Sequence, residues 1–269
     1  MALDKQKVAR QFNRNVHTYD NVAVVQKRMA HRIMQTLEEK RVRPAEILEI
    51  GCGTGYLTML LAEAFPLAKL TVVDLAENMV DMTRERMGEK SVRYLVGDAE
   101  TITWDANRYD LIVSNATLQW FSNPKGTLRR MYEALSPGGW WVASTFGSDT
   151  FKELHAAFRK VETEYGYPAV QHGLPLRSPA SWEQSLKEGG FSRVHTLTCW
   201  HRLSYPDCRS FLYAVRYMGA SYSDSGHLSI GEQRRLLSEV IRLYDRSYRE
   251  KRNVFATYQL VQMYGQKEM

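Results

Sequence analysis

Apolar residues recur along this chain with two alternating periods. Val25, Met29, Ile33, Met34 and Leu37 fall three or four apart and predict a helix over 22–40. Ahead of it, 5–14 is helical in composition and 17–21 is polar and turn-like, so 4–40 reads as helix broken once. The run Ile47-Leu48-Glu49-Ile50 has the length and composition of a strand; glycines at 51, 53 and 55 follow, and a helical pattern begins at Tyr56. From there the two periods alternate: helix 56–65 ended by Pro66, strand 69–75, helix 78–88, strands 92–96 and 109–115, helix 125–135, then strand 140–146 after the turn Ser136-Pro137-Gly138-Gly139. Such alternation predicts a mainly parallel sheet with helices on both faces.

Beyond Phe146 the alternation stops. Helices are expected over 149–165 and 179–189, a loop over 166–179, and strands over 193–200 and 254–264. Between those strands, 204–251 is rich in aromatics and arginines, with helical spacing in its later half. The pattern suggests a hairpin on one sheet edge carrying a helical cap.

In open α/β sheets, ligands bind beyond the carboxyl ends of the strands. Polar residues should therefore stand there, and they do: the glycines after the first strand, Asp74 after the second, Gly97-Asp98-Ala99-Glu100 after the third, and Ser114-Asn115-Ala116 after the fourth. A dinucleotide fingerprint would need Gly-x-Gly-x-x-Gly, yet its third glycine falls on Tyr56 or Thr58 in the two registers. Glu49 instead precedes the glycines. A carboxylate there repels pyrophosphate and suits an ammonium group. Asp74 can accept two ribose hydroxyls, Asp98 with Ala99 can meet an adenine amine, and Leu75 and Met79 can cover the ring faces. Amine, ribose and adenine without a phosphate site describe S-adenosylmethionine.

Composition changes this picture little. With 269 residues the chain can bury a large core as one α/β domain with insertions. No apolar run approaches the roughly 18 to 20 residues of a membrane span, and the N-terminus lacks a signal-peptide core, so a cytoplasmic protein is expected. Cys52, Cys199 and Cys208 form no CxxC pair, which implies free thiols and no metal. The net charge of +6 could mark nucleic acid, but the arginines are dispersed; a solvated surface or an acidic protein partner accounts for it better.

Glu49-Ile50-Gly51-Cys52-Gly53-Thr54-Gly55, with Asp74, Asp98-Ala99 and Leu135-Ser136-Pro137-Gly138-Gly139, resembles class I S-adenosylmethionine-dependent methyltransferases. Phe12-Asn13-Arg14-Asn15-Val16-His17-Thr18-Tyr19-Asp20 with Gln26, then Ser114-Asn115-Ala116-Thr117-Leu118-Gln119-Trp120 and 146–154, is similar to the malonyl-[acyl-carrier protein] O-methyltransferases of bacterial biotin synthesis. The resemblance implies a Rossmann-like α/β fold: a seven-stranded, mostly parallel sheet with one antiparallel strand. It divides the chain into a helical lid at 1–40, a core at 41–200 and 254–269 with an excursion at 149–190, and a cap at 201–253. The implied reaction converts the free carboxylate of a malonyl thioester, on acyl carrier protein or coenzyme A, to its methyl ester. A monomer that binds neither nucleic acid nor membrane is expected.

The cofactor set expected on these grounds is Tyr19, Gln26, Glu49, Gly51, Cys52, Gly53, Gly55, Tyr56, Asp74, Leu75, Met79, Asp98, Ala99, Glu100, Asn115 and Ala116. A malonyl carboxylate is already ionised at neutral pH, so no general base is required. It does need recognition. Candidates to position it are His17, Tyr19, Gln119, Trp120, Phe146, Arg177, Arg202, Arg209 and Arg216, with His172 and His201 as alternatives; arginine's planar fork is suited to a carboxylate. Arg234, Arg235, Arg242, Arg246, Arg249, Lys251 and Arg252 could meet an acidic carrier, or could be the wet face of a cap helix. Two readings stand against the leading one: methylation of another small acceptor, and a catalytically silent cofactor-binding protein.

Overall fold

The computed structural model describes residues 4–217 and 228–269. Asp4 accepts a hydrogen bond from the Lys7 amide (3.0 Å) and so caps α1 (Lys5–Val22), while α2 (Val24–Glu39) follows after a single non-helical residue, Ala23. The break therefore falls at Ala23, and the polar stretch 17–21, expected as a turn, is helical. The apolar spacing read along 25–37 becomes the buried face of α2, with Val25, Met29, Ile33 and Leu37 within.

The alternation then runs β1 (Glu46–Ile50), α3 (Tyr56–Ala64), β2 (Lys69–Asp74), α4 (Glu77–Met87), β3 (Val92–Val96), β4 (Tyr109–Asn115), α5 (Pro124–Ala134) and β5 (Leu135–Phe146). Next come α6 (Lys152–Tyr165), α7 (Pro179–Glu188), β6 (Ser192–Tyr205), α8 (Cys208–Tyr217), α9 (Ile230–Ser247), β7 (Arg249–Glu250) and β8 (Asn253–Gln266). The turn at 136–139 does not precede β5 but lies inside it, at a register irregularity between Tyr109 and Leu111 of β4. β6 and β8 run longer than the apolar pattern indicated.

The strand order is β3-β2-β1-β4-β5-β8-β6. β1 to β5 pair in parallel, β8 is antiparallel to β5, and two-residue β7 makes a short hairpin with β8. That hairpin raises the expected seven strands to eight. After β3 the chain returns to the other side of β1, so the order switches between β1 and β4, where a crevice opens at their carboxyl ends. Successive residues of the central strands face opposite sides. Ile47, Leu111 and Val142 pack with Ile33 and Leu37 of α2 and Leu57 and Leu61 of α3; Leu48, Ile112 and Trp141 pack with Leu128 and Met131 of α5 and Trp182 of α7. Burial on both faces explains why these strands read as continuous apolar runs. Gln262 of β8 donates through Nε2 to Thr36 Oγ1 (2.6 Å) and to the Arg32 carbonyl (2.9 Å), fastening the last strand to α2.

The chain divides into two compact units. One comprises Met1–Phe146, Arg177–Thr198 and Leu260–Met269; the other comprises Gly147–Leu176 and Cys199–Gln259. The expected excursion at 149–190 is thus split, with α6 in the second unit and α7 in the first, and the helices expected as a separate lid group with the sheet. Within the second unit, α6 and α8 both pack on α9, around Phe151, Phe211, Tyr244 and Tyr258. Of the expected lid and cap, residues 1–3 and 218–227 lie outside the described residues. Among the described residues, no helix is long and apolar enough to cross a membrane.

Candidate active site

The site begins where β1 runs out. Gly51, Gly53 and Gly55 all have positive φ, and at Gly51 an added Cβ would stand 2.0 Å from Thr117 Oγ1. Only glycine lets the tip of β1 come this close to the tip of β4. Gly55 serves the packing of helices instead: it precedes α3 and approaches Thr83 of α4, and it lines neither of the cavities described next.

Two adjoining cavities occupy the crevice, both within the first unit. The larger encloses about 700 Å³, part of it open to solvent, and its walls include Tyr19, Asp74, Leu75, Met79, Asp98, Ala99, Ala116 and Trp120. The smaller, about 400 Å³ and likewise open, is walled by Gln26, Glu49, Cys52 and Tyr56 among others. Tyr19, Gly51, Gly53 and Asn115 line both. Fourteen of the sixteen expected cofactor residues thus meet here; Gly55 and Glu100 do not.

The acids of this crevice are held in different ways. Asp74 accepts the Gly53 amide on Oδ2 and the Ala76 amide on Oδ1, each at 2.9 Å, which fixes the plane of the carboxylate and leaves each oxygen further lone pairs. Burial raises its pKa, and those amides oppose the rise. Glu49 is 1% exposed, and its one hydrogen-bond donor given by the structure is Thr58 Oγ1, at 2.6 Å. Burial pushes its carboxyl up to about 8, with the Thr58 bond opposing and nearby Asp74 adding to the shift. Burial, with Asp74 and Asp20, also lifts the Tyr19 phenol far above its ordinary value despite a hydrogen bond with Gln26, so it stays neutral.

Glu100 lines neither cavity, and its oxygens are already occupied. The Ser122 amide (2.7 Å), the Asn123 amide (2.8 Å), the Thr127 hydroxyl (2.9 Å) and the Lys5 ammonium already occupy its carboxylate. The acceptor candidates scatter. Trp120 walls the larger cavity, edge-on to Phe12 at 5.7 Å. Gln119 lines neither cavity; it bridges the Ala116 carbonyl (2.7 Å) and the Thr145 hydroxyl (2.8 Å). His17 is exposed, and Phe146 ends β5 without lining either cavity. Arg177 lines neither cavity; its Nε and Nη2 donate to Ser181 and Ser185, its Nη1 is buried without a hydrogen bond among the described residues, and the guanidinium lies over Trp182 at 4.7 Å. In the second unit, Arg202 lies over the Phe255 ring at 4.4 Å, Arg209 and Arg216 are exposed on α8, and His172 pairs with Glu162 at 2.6 Å while stacking on Phe158. His201 is half-buried there. The seven basic residues between 234 and 252 are all exposed.

Several wall residues lie outside the expected cofactor and acceptor sets. α1 lies along the larger cavity and contributes Lys5, Val8 and Phe12 besides Tyr19. It is pinned at one end by Lys5 to Asp98 (2.6 Å) and Glu100, and at the other by Asp20 to Arg86 and to the Thr54 hydroxyl (2.7 Å). Asp20, Lys27 and Thr54 line the smaller cavity.

Residues 47–139 match a family model described as a methyltransferase domain. The malonyl-[acyl-carrier protein] O-methyltransferase of Brevibacillus brevis is 36% identical over 267 residues, covering 96% of this chain and 95% of that one. That of a Paenibacillus species is 36% identical over 271 residues, covering 97% and 98%. The chain belongs to this O-methyltransferase family. Solved structures similar to the methyltransferase in fold include the YcgJ protein of Bacillus subtilis, with a TM-score of 0.61 at 13% identity, covering 89% of this chain and 99% of that one. Another is phosphoethanolamine N-methyltransferase 2 of Haemonchus contortus in complex with S-adenosyl-L-methionine, with a TM-score of 0.54 at 19% identity, covering 89% and 53%. Among the described residues of the methyltransferase, no group of three or more His, Cys, Asp and Glu side chains could hold a metal ion.

Proposed function

We propose that this enzyme transfers a methyl group from S-adenosylmethionine to the free carboxylate of a malonyl thioester borne on an acyl carrier protein. It would act early in biotin synthesis, with coenzyme A as the alternative carrier. The observation that carries the reading is the pair of adjoining cavities: Glu49, an under-partnered buried acid, stands in one, and Asp74 and Asp98 stand in the other. An amino acid joined to a nucleoside through sulfur has this distribution of donors.

Bound there, the cofactor supplies a methyl group on a positively charged sulfur, open to in-line displacement by a carboxylate oxygen. Asp74 would take the ribose hydroxyls and Glu49 the ammonium. Asp98 and Ala99 would meet the adenine edge, with Leu75 and Met79 over the ring faces. The four residues common to both cavities would border the sulfur. Tyr19 is among them, and as a neutral phenol it can donate a hydrogen bond to the incoming carboxylate without removing a proton. Trp120 and Phe12 shape the wall beside it. No histidine lines either cavity, and none is needed for an acceptor that arrives ionised. The protein's contribution is alignment and exclusion of water, and such positioning can be worth up to roughly 7 to 11 kcal/mol.

The test is direct. Incubation with S-adenosylmethionine and malonyl-acyl carrier protein should add one methyl group to the malonyl moiety, read by mass spectrometry. Tight cofactor binding without that product overturns the acceptor assignment.

A further inference from the structure

Glu49 accounts for only half of an amino acid. The methionine end of the cofactor also carries a carboxylate, and the smaller cavity is a poor place for one. Glu49 and Asp20 both line it, and an unpaired anion beside buried carboxylates is costly. Asp20 is already engaged by Arg86 and by Thr54, so it is a partly neutralised neighbour, not a partner.

Among the described residues, the only cationic side chain lining this cavity is Lys27 of α2. It is half-buried. Its ammonium donates to the Asp20 carbonyl at 3.0 Å and stands 5.4 Å from the centre of the Tyr56 ring. An ammonium has three donors, so the Asp20 carbonyl fixes its place and leaves donors to spare. Tyr56 is held in turn by His31, 2.9 Å from its hydroxyl. Lys27 and Glu49 thus sit in one pocket, a cation beside an acid that ionises against the ligand's ammonium, as a zwitterion requires. We infer that Lys27 binds the α-carboxylate of the cofactor's methionine moiety, making the smaller cavity a complete amino-acid site. This rests on the cofactor assignment above and adds to it a residue that reads the one anionic group of the ligand.

The experiment compares two ligands by calorimetry: S-adenosylhomocysteine, and its decarboxylated analogue, which keeps the amine and lacks the carboxylate. The unaltered enzyme should prefer the carboxylated ligand by about tenfold or more, the scale of a charge-assisted hydrogen bond. Lys27→Met should bind the two alike, weakening only the carboxylated one, and Lys27→Arg should keep most of the preference. A preference undiminished in Lys27→Met overturns the assignment of Lys27. Failure of the unaltered enzyme to bind either ligand overturns the cofactor assignment instead.

Discussion

Two buried carboxylates near the carboxyl ends of parallel strands, Glu49 in β1 and Glu100 after β3, have opposite environments. Glu100 is 7% exposed and receives four donors, from Ser122, Asn123, Thr127 and Lys5. Burial alone would raise its pKa, but the Lys5 ammonium, the two amides and the hydroxyl outweigh burial and hold it below the usual carboxylate range. Glu49, 1% exposed, has Thr58 alone as its given donor, and burial wins. A saturated acid ties loops together. An acid left short of donors is costly to the folded protein unless a ligand completes it. Both residues stand at strand ends in the sequence, and only their partners tell them apart.

Breaking the saturated site should have the largest effect on stability. Glu100→Ala strands the Ser122 and Asn123 amides and leaves Lys5 with Asp98 as its one remaining carboxylate, and should cost about 3–5 kcal/mol in denaturant unfolding. Glu49→Gln should act the other way round. Affinity for S-adenosylhomocysteine should fall by about 10- to 100-fold in calorimetry, from the loss of a charge-assisted contact. The ligand-free fold should meanwhile become less sensitive to alkali. The sign follows from proton counts: between about 4.5, the ordinary glutamate value, and about 8, the folded state keeps a proton on Glu49 that the unfolded chain has lost. Glu49 therefore makes stability fall as pH rises through that window, and the Gln variant lacks this component.

Smaller effects sharpen the contrast. Binding an ammonium requires ionised Glu49, so affinity for the cofactor product should rise between pH 6 and 7, by up to about tenfold, with proton release seen as a buffer-dependent heat. A flat profile, or one unchanged in Glu49→Gln, would place the ammonium elsewhere. Thr58→Val removes the donor that opposes the effect of burial on Glu49; it should cost about 1 kcal/mol and move the affinity profile to higher pH.

How far the sequence discloses the site follows the same division. Strand ends in a parallel sheet have a fixed meaning, so Glu49, Asp74, Asp98 and Asn115 could be placed from spacing alone. The walls supplied by helices could not. Lys5, Phe12 and Lys27 sit on amphipathic helices, where a period of 3.6 shows which side is apolar but not what that side covers. The stretch 17–21 misleads for a related reason. Its weak helix formers suggest a turn, yet Val16 is buried against Ala76 and Met79, and the Asp20 ion pair holds the end of α1 in place. Tertiary contact overrides propensity here. The acceptor side is least legible, because an arginine's spacing does not reveal that Arg177 turns its Nε and Nη2 to Ser181 and Ser185, away from both cavities.

α1 has one further consequence, and it concerns time. The helix walls the cofactor cavity and is clasped at both ends by ion pairs, Lys5 with Asp98 and Glu100, and Asp20 with Arg86. Only Ala23 separates it from α2, so the end nearer the chain terminus has the longer swing. The side chains of these pairs are only 6–29% exposed, so salt screens them far less than it would pairs on the open surface. The tempo at which the enzyme trades spent cofactor for fresh should therefore hold nearly constant across ordinary ionic strengths, and should quicken only when a charge of the clasp is removed, as in Lys5→Met.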